Sequence, residues 1–130
     1  MKRILSVDDE AAILRCFEKA LKMKGYQVTT TSDPHEALRI IREEDVDLIT
    51  LDVRMPAMSG FEIYEQLKTK KGPVPVLFVT AYPASFTAES DAVVRMWTEQ
   101  FAEGLTDILY KPFDVDTLIE KVEGLIGTSE

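Results

Sequence analysis

Short apolar, β-branched runs alternate along this chain with stretches of helical periodicity, and that alternation restricts the fold more than any other feature. Ile4 to Val7 is the first run. Ala11 to Lys24 then carries Ile13, Leu14, Phe17, Ala20 and Leu21 at helical spacing, and Gly25 suits the position just past a helix end. Tyr26 to Thr31 reads as strand two. Asp33-Pro34-His35-Glu36 is a helix start: Asp33 caps, Pro34 occupies the first turn and Glu36 can reach back. Ala37, Leu38, Ile40 and Ile41 form the buried stripe of that helix, and Asp47 to Leu51 is strand three. A helix is predicted from about Phe61 to Lys70, broken by Gly72-Pro73. Val74 to Thr80 is continuously apolar, as expected of a strand covered on both faces. Tyr82 to Gly104 reads as mostly helical, Asp107 to Tyr110 as strand five, and Asp114 to Ile126 as a final amphipathic helix. Strands and helices alternating in this way imply an α/β doubly wound fold, with a parallel sheet, right-handed crossovers and helices on both faces. One domain is expected over 1–126, with a short tail at 127–130.

Acids gather at the predicted strand ends. Asp8 and Asp9 follow strand one, and Asp52 follows strand three. Thr80 ends strand four, and Lys111 follows strand five. Sites in open α/β sheets form at the carboxyl ends of strands, so these five residues should converge. Crowded carboxylates are costly unless a cation sits among them or one stays protonated. Hard oxygen donors without a histidine or cysteine cluster suit Mg²⁺ and argue against zinc. Lys111 and Thr80 could help neutralise and orient a phosphoryl group. Taken singly, each residue has a plainer reading: Asp8 or Asp9 as a helix cap, Thr80 as a strand residue, Lys111 as a solvated side chain.

The bulk numbers narrow the partners. A net charge of −8 argues against direct binding to nucleic acid or to an anionic membrane. No apolar stretch is long enough to span a bilayer, and Met1-Lys2-Arg3 leads straight into a strand, so a cytoplasmic protein is expected. Cys16, the one cysteine, falls in a helical pattern as a small packing side chain. His35 falls in a first helical turn, where a solvated side chain is expected rather than a ligand or a phosphorylated histidine.

Four motifs in order make the chain resemble a response-regulator receiver domain of two-component signalling, similar to the chemotaxis regulators. They are Val7-Asp8-Asp9-Glu10, Leu51-Asp52-Val53-Arg54-Met55-Pro56 with Ser59-Gly60, Val79-Thr80-Ala81-Tyr82, and Tyr110-Lys111-Pro112-Phe113. The resemblance implies a flavodoxin-like sheet of five strands, order 2-1-3-4-5, with five helices. It implies that Asp52 accepts a phosphoryl group from a sensor histidine kinase or phosphotransfer protein. Mg²⁺, with Mn²⁺ able to take its place, would be held by Asp9, Asp52 and the Arg54 backbone carbonyl, with Asp8 acting mainly through a water. Thr80 would bond the phosphoryl oxygen and Lys111 would pair with Asp52, then with the phosphate. A cis Lys111-Pro112 bond, a switched surface acting on a downstream protein, and a phosphorylation-dependent dimer also belong to the resemblance.

Two departures stand out. The family's aromatic switch residue, three positions before the lysine, is here Ile108. Tyr110 lies two residues on, so on the same side of the strand, and it or Tyr82 is the candidate replacement. Ala81 completes the strand-four set of switch positions. Thr80 to Lys111 also spans 31 positions, longer than usual by roughly two helical turns. The excess falls in 85–104, where Val93, Trp97 and Phe101 recur every four residues. Arg54 and Tyr82 are bulky enough to obstruct hydrolytic water, which predicts slow self-dephosphorylation.

Two other functions fit parts of the pattern. A Mg²⁺-dependent phosphohydrolase with an aspartyl nucleophile would carry Asp-x-Asp, but position 54 is Arg. A receiver-like interaction domain that takes no phosphate is disfavoured by the intact acids, Thr80 and Lys111.

Overall fold

The computed structural model describes residues 1–52, 74–81 and 106–128. Five parallel strands form one sheet: β1 (Arg3–Val7), β2 (Gln27–Thr31), β3 (Leu48–Asp52), β4 (Val76–Ala81) and β5 (Thr106–Lys111), in the order 2-1-3-4-5. Three described helices pack on it: α1 (Ala11–Met23), α2 (Pro34–Glu43) and α3 (Val115–Ile126). The expected helix near 61–70 and the long segment at 82–104 lie outside the described residues, as do Arg54 and Tyr82.

Period two sorts the strand side chains into two cores. Leu5, Val7, Ile49, Leu51, Val76, Phe78 and Ile108 pack with Ala37, Leu38, Ile40 and Ile41 of α2. Ile4, Leu48, Leu77, Val79 and Leu109 face the other way, onto Phe17, Ala20 and Leu21 of α1 and Leu118, Ile119 and Val122 of α3. Both faces of β4 are thus covered, which explains its unbroken apolar run. Full burial of such side chains contributes roughly 1.5–3 kcal/mol each before entropy is counted.

Local signals end the helices where the sequence places them. Asp33 Oδ1 accepts from His35 N at 2.9 Å, Pro34 opens α2, and the His35 side chain is exposed. Asp114 Oδ1 accepts from Thr117 N at 2.7 Å and caps α3. Hydrogen bonds from Thr117 hold the Asp114 carboxyl below its usual range. Gly25 follows α1 at φ 93°, a left-handed conformation that a Cβ would disfavour. At the base of the sheet Tyr26 Oη donates to Gly127 O at 2.7 Å and Lys2 Nζ donates to Ile126 O, tying the end of α3 to the start of β1 and β2.

One buried group stands out. Ser6 is fully buried in β1, between Thr30 and Thr50 in the ladder, and its Oγ has no hydrogen-bond partner among the described residues. A buried orphan hydroxyl costs about 1–3 kcal/mol. Ser6→Ala should therefore raise the unfolding free energy by about 1 kcal/mol in urea titrations. An equal or lower midpoint at unchanged m-value would show that the hydroxyl is satisfied.

Candidate functional site

Strand register decides where the acids go. Val7 stands opposite Leu51, so Asp8 and Asp52 come next at the same level on adjacent strands. Neighbouring strands are about 4.8 Å apart. Two carboxylates at that separation repel by about 3 kcal/mol at an effective dielectric of about 20. Both are buried, Asp8 at 3% and Asp52 at 4% exposure, so water screens them little.

Lys111 answers that repulsion from β5, across β4. Its Nζ lies 3.1 Å from Asp8 Oδ2, 3.1 Å from Glu10 Oε1 and 4.0 Å from Asp52 Oδ2. Its side chain is only 12% exposed, so it is not a solvated surface lysine. Burial by itself pulls its pKa down. Hydrogen bonds to Glu10 and Asp8, with the charges of Asp8 and Asp52, outweigh burial and hold the ammonium above the usual lysine range. The Lys111–Pro112 bond is cis. Phe113 then packs edge-on against Phe17 of α1, centroids 5.3 Å apart, and anchors the turn that follows the lysine.

Asp8 is shifted as well. Burial pushes its carboxyl above the usual carboxylate range. The Glu10 amide and Lys111 pull it down without cancelling the rise, and the charge of Glu10 adds to it. Asp9 is exposed beside it. Carboxylate oxygens of Asp8, Asp9 and Glu10 come within 4.8 Å of one another. This all-oxygen, net-negative set suits a hard divalent cation.

The helix-cap reading of Asp8 and Asp9 does not hold. The N-cap of α1 is Glu10, with no side-chain cap hydrogen bond. Asp8 Oδ1 instead accepts the Glu10 amide at 2.9 Å, which turns the chain out of β1. Glu10 is the residue that sequence reasoning passed over. Its signal was present, since glutamate is a poor N-cap and its carboxylate was therefore available for another partner.

Thr80 sits at the same rim but on the other side of the sheet's alternation. Phe78 and Ile108 belong to the α2 core, so Thr80 and Tyr110, two residues on, share that side. They stand opposite each other in the β4–β5 ladder. Thr80 is 1% exposed, and Tyr110 is half-buried against the α2 core. Ala81 pairs with Lys111 in the same ladder. Ile108 is buried as packing.

The fold agrees with what comparison finds. The response regulator receiver domain family matches residues 4–123, and the chain belongs to that family. PhoP of Bacillus subtilis (strain 168), an alkaline phosphatase synthesis transcriptional regulatory protein, is 36% identical over 129 residues, covering 99% of this chain and 50% of that protein. The response regulator SaeR of Staphylococcus aureus (strain USA300) is 30% identical over 126 residues, covering 97% of this chain and 51% of SaeR. The chain thus spans about half the length of these curated relatives. Among solved structures, the response regulator TrrA of Thermotoga maritima in complex with Mg²⁺-BeF superposes with TM-score 0.78 at 32% identity, covering 96% of this chain and 99% of that one. The chemotaxis protein CheY4 of Vibrio cholerae gives TM-score 0.79 at 28% identity, covering 96% and 98%. The expected fold class and family are therefore borne out, and the family is that of two-component phosphoacceptor signalling. Among the described residues no helix is long and apolar enough to cross a membrane.

The charge balance makes a prediction with a definite sign. Asp8 holds its proton more tightly folded than unfolded, so ionising it costs stability as pH rises from 3.8 through its raised folded value. Asp8→Asn cannot ionise. In metal-free buffer its melting temperature should gain on the native protein as pH rises from acid to neutral. A difference that stays flat across that range would show that Asp8 carries its charge without penalty.

Proposed function

We propose that Asp52 accepts a phosphoryl group and that the domain, about residues 1–126, switches its surface in response. The observation that carries this reading is the convergence of two buried acids, Asp8 and Asp52, on the one ammonium of Lys111 at the carboxyl edge of the sheet. Asp52 is the candidate acceptor because it belongs to β3, an inner strand buried along its whole length.

The donor is a phosphohistidine on a sensor histidine kinase or phosphotransfer protein. One Asp52 oxygen forms the new O–P bond as the N–P bond breaks. The bonding electrons return to the imidazole, which leaves neutral because its other nitrogen carries a proton. Lys111 moves toward the phosphoryl oxygens, and the Thr80 hydroxyl donates to one of them. Asp8, Asp9 and Asp52, with the Arg54 backbone carbonyl, are the residues that would hold Mg²⁺ or Mn²⁺, and the bound cation would offset charge on the transferring group. The domain is a phosphoacceptor that assists its own transfer rather than a turnover enzyme. It works in the cytoplasm through a downstream protein, without touching nucleic acid itself, and phosphorylation could also promote a dimer.

Incubation with Mg²⁺ and a small phosphodonor should add one phosphate per chain, stable in acid and labile in base. Asp52→Ala should abolish it, and persistence of the phosphate in that variant would sink the assignment.

Tyr110 carries the signal in place of the usual aromatic. Its position opposite Thr80 and its packing on the α2 core support this, as does Ile108 serving as packing. Tyr110→Leu should take up phosphate within about threefold of the native rate yet lose most phosphorylation-induced chemical-shift change beyond the site. A full response in Tyr110→Leu would refute the role.

A further inference from the structure

We infer that Glu10 is a positioning residue that holds Lys111 back from the acceptor until phosphoryl transfer draws the ammonium across. The inference rests on the phosphoacceptor reading and extends it to a residue that reading does not use.

The geometry is unequal in a telling way. Lys111 Nζ sits 3.1 Å from Glu10 and from Asp8 but 4.0 Å from Asp52. The lysine therefore leans toward the β1 side of the site, away from the acceptor. Asp8 alone does not account for this, because Asp8 and Asp52 leave their strands at the same level. Glu10 supplies the asymmetry: it lies only on the β1 side, and its carboxylate is not used in capping α1. Its backbone is fixed by the bond from its amide to Asp8 Oδ1. Its side chain is 60% exposed, whereas that of Lys111 is 12% exposed. The bond to Glu10 is thus the weak one of the pair, and it can be given up at small cost. A buried lysine held by one buried and one exposed anion is retained in the resting state yet released when a more highly charged phosphoryl group appears.

Two variants separate contact from charge. Glu10→Gln removes the charge at nearly constant shape. Glu10→Asp keeps the charge but shortens the reach by one methylene. In metal-free crystals of either variant, Lys111 Nζ should lie closer to Asp52 Oδ2 than the 4.0 Å of the native protein. At saturating Mg²⁺, both should bind beryllofluoride roughly two- to fivefold more tightly by calorimetry. Their acyl phosphate should also persist longer by a similar factor. If Glu10→Asp behaves like the native protein while Glu10→Gln does not, the field of Glu10 acts rather than its grip, and the inference is wrong. Native-like or weaker beryllofluoride binding in both variants would also overturn it. If the native protein itself takes up no beryllofluoride, the phosphoacceptor reading falls and takes this inference with it.

Discussion

The ammonium of Lys111 is the interaction on which the carboxyl edge depends. Asp8 and Asp52 are brought side by side by the β1–β3 register, and nothing in that pairing neutralises them. The lysine arrives from β5, at the far edge of the sheet, and reaches back across β4. Its reach ties the two halves of the strand order together at the point where like charge would push them apart. The Phe113–Phe17 contact belongs to the same arrangement, since it holds the chain just beyond the lysine against α1. Among the described residues the site remains net negative even with Lys111 in place, because Asp8, Asp9, Glu10 and Asp52 gather around one ammonium. That residual charge suits a hard divalent cation at this point.

The fold was legible because its signals are local and redundant. The stripes of α1 and α2 read from spacing are the buried ones, with Ile13 only partly covered. The caps at Asp33 and Asp114 and the glycine after α1 fall where their side-chain chemistry puts them. Strand limits were less legible, with β3 running Leu48–Asp52 rather than 47–51 and β4 starting at Val76 rather than Val74. Ladder pairing, which sequence does not display, fixes those ends.

The site was legible in its buried members and not in its exposed one. Asp8, Asp52, Thr80 and Lys111 sit at strand ends, where backbone register dictates position. Glu10 escaped notice because its role depends on a flexible side chain choosing a lysine 101 positions away. The caps proposed for Asp8 and Asp9 failed for a related reason, because the Asp8 carboxylate found a better use in the Glu10 amide and Lys111. Ser6 shows the same limit, since nothing in the sequence reveals that its buried hydroxyl lacks a partner among the described residues.

The alternation of side chains along the strands has a consequence for descent. Asp8, Asp52 and Lys111 gather on the side of α1 and α3, while Thr80 and Tyr110 belong to the side of α2. A substitution on one side of the sheet meets a different set of neighbours from a substitution on the other. Changes among the side chains around Tyr110 can then leave the acid cluster untouched. Ile108 as packing, with a tyrosine two residues along the same side, is an arrangement that such a partition accommodates.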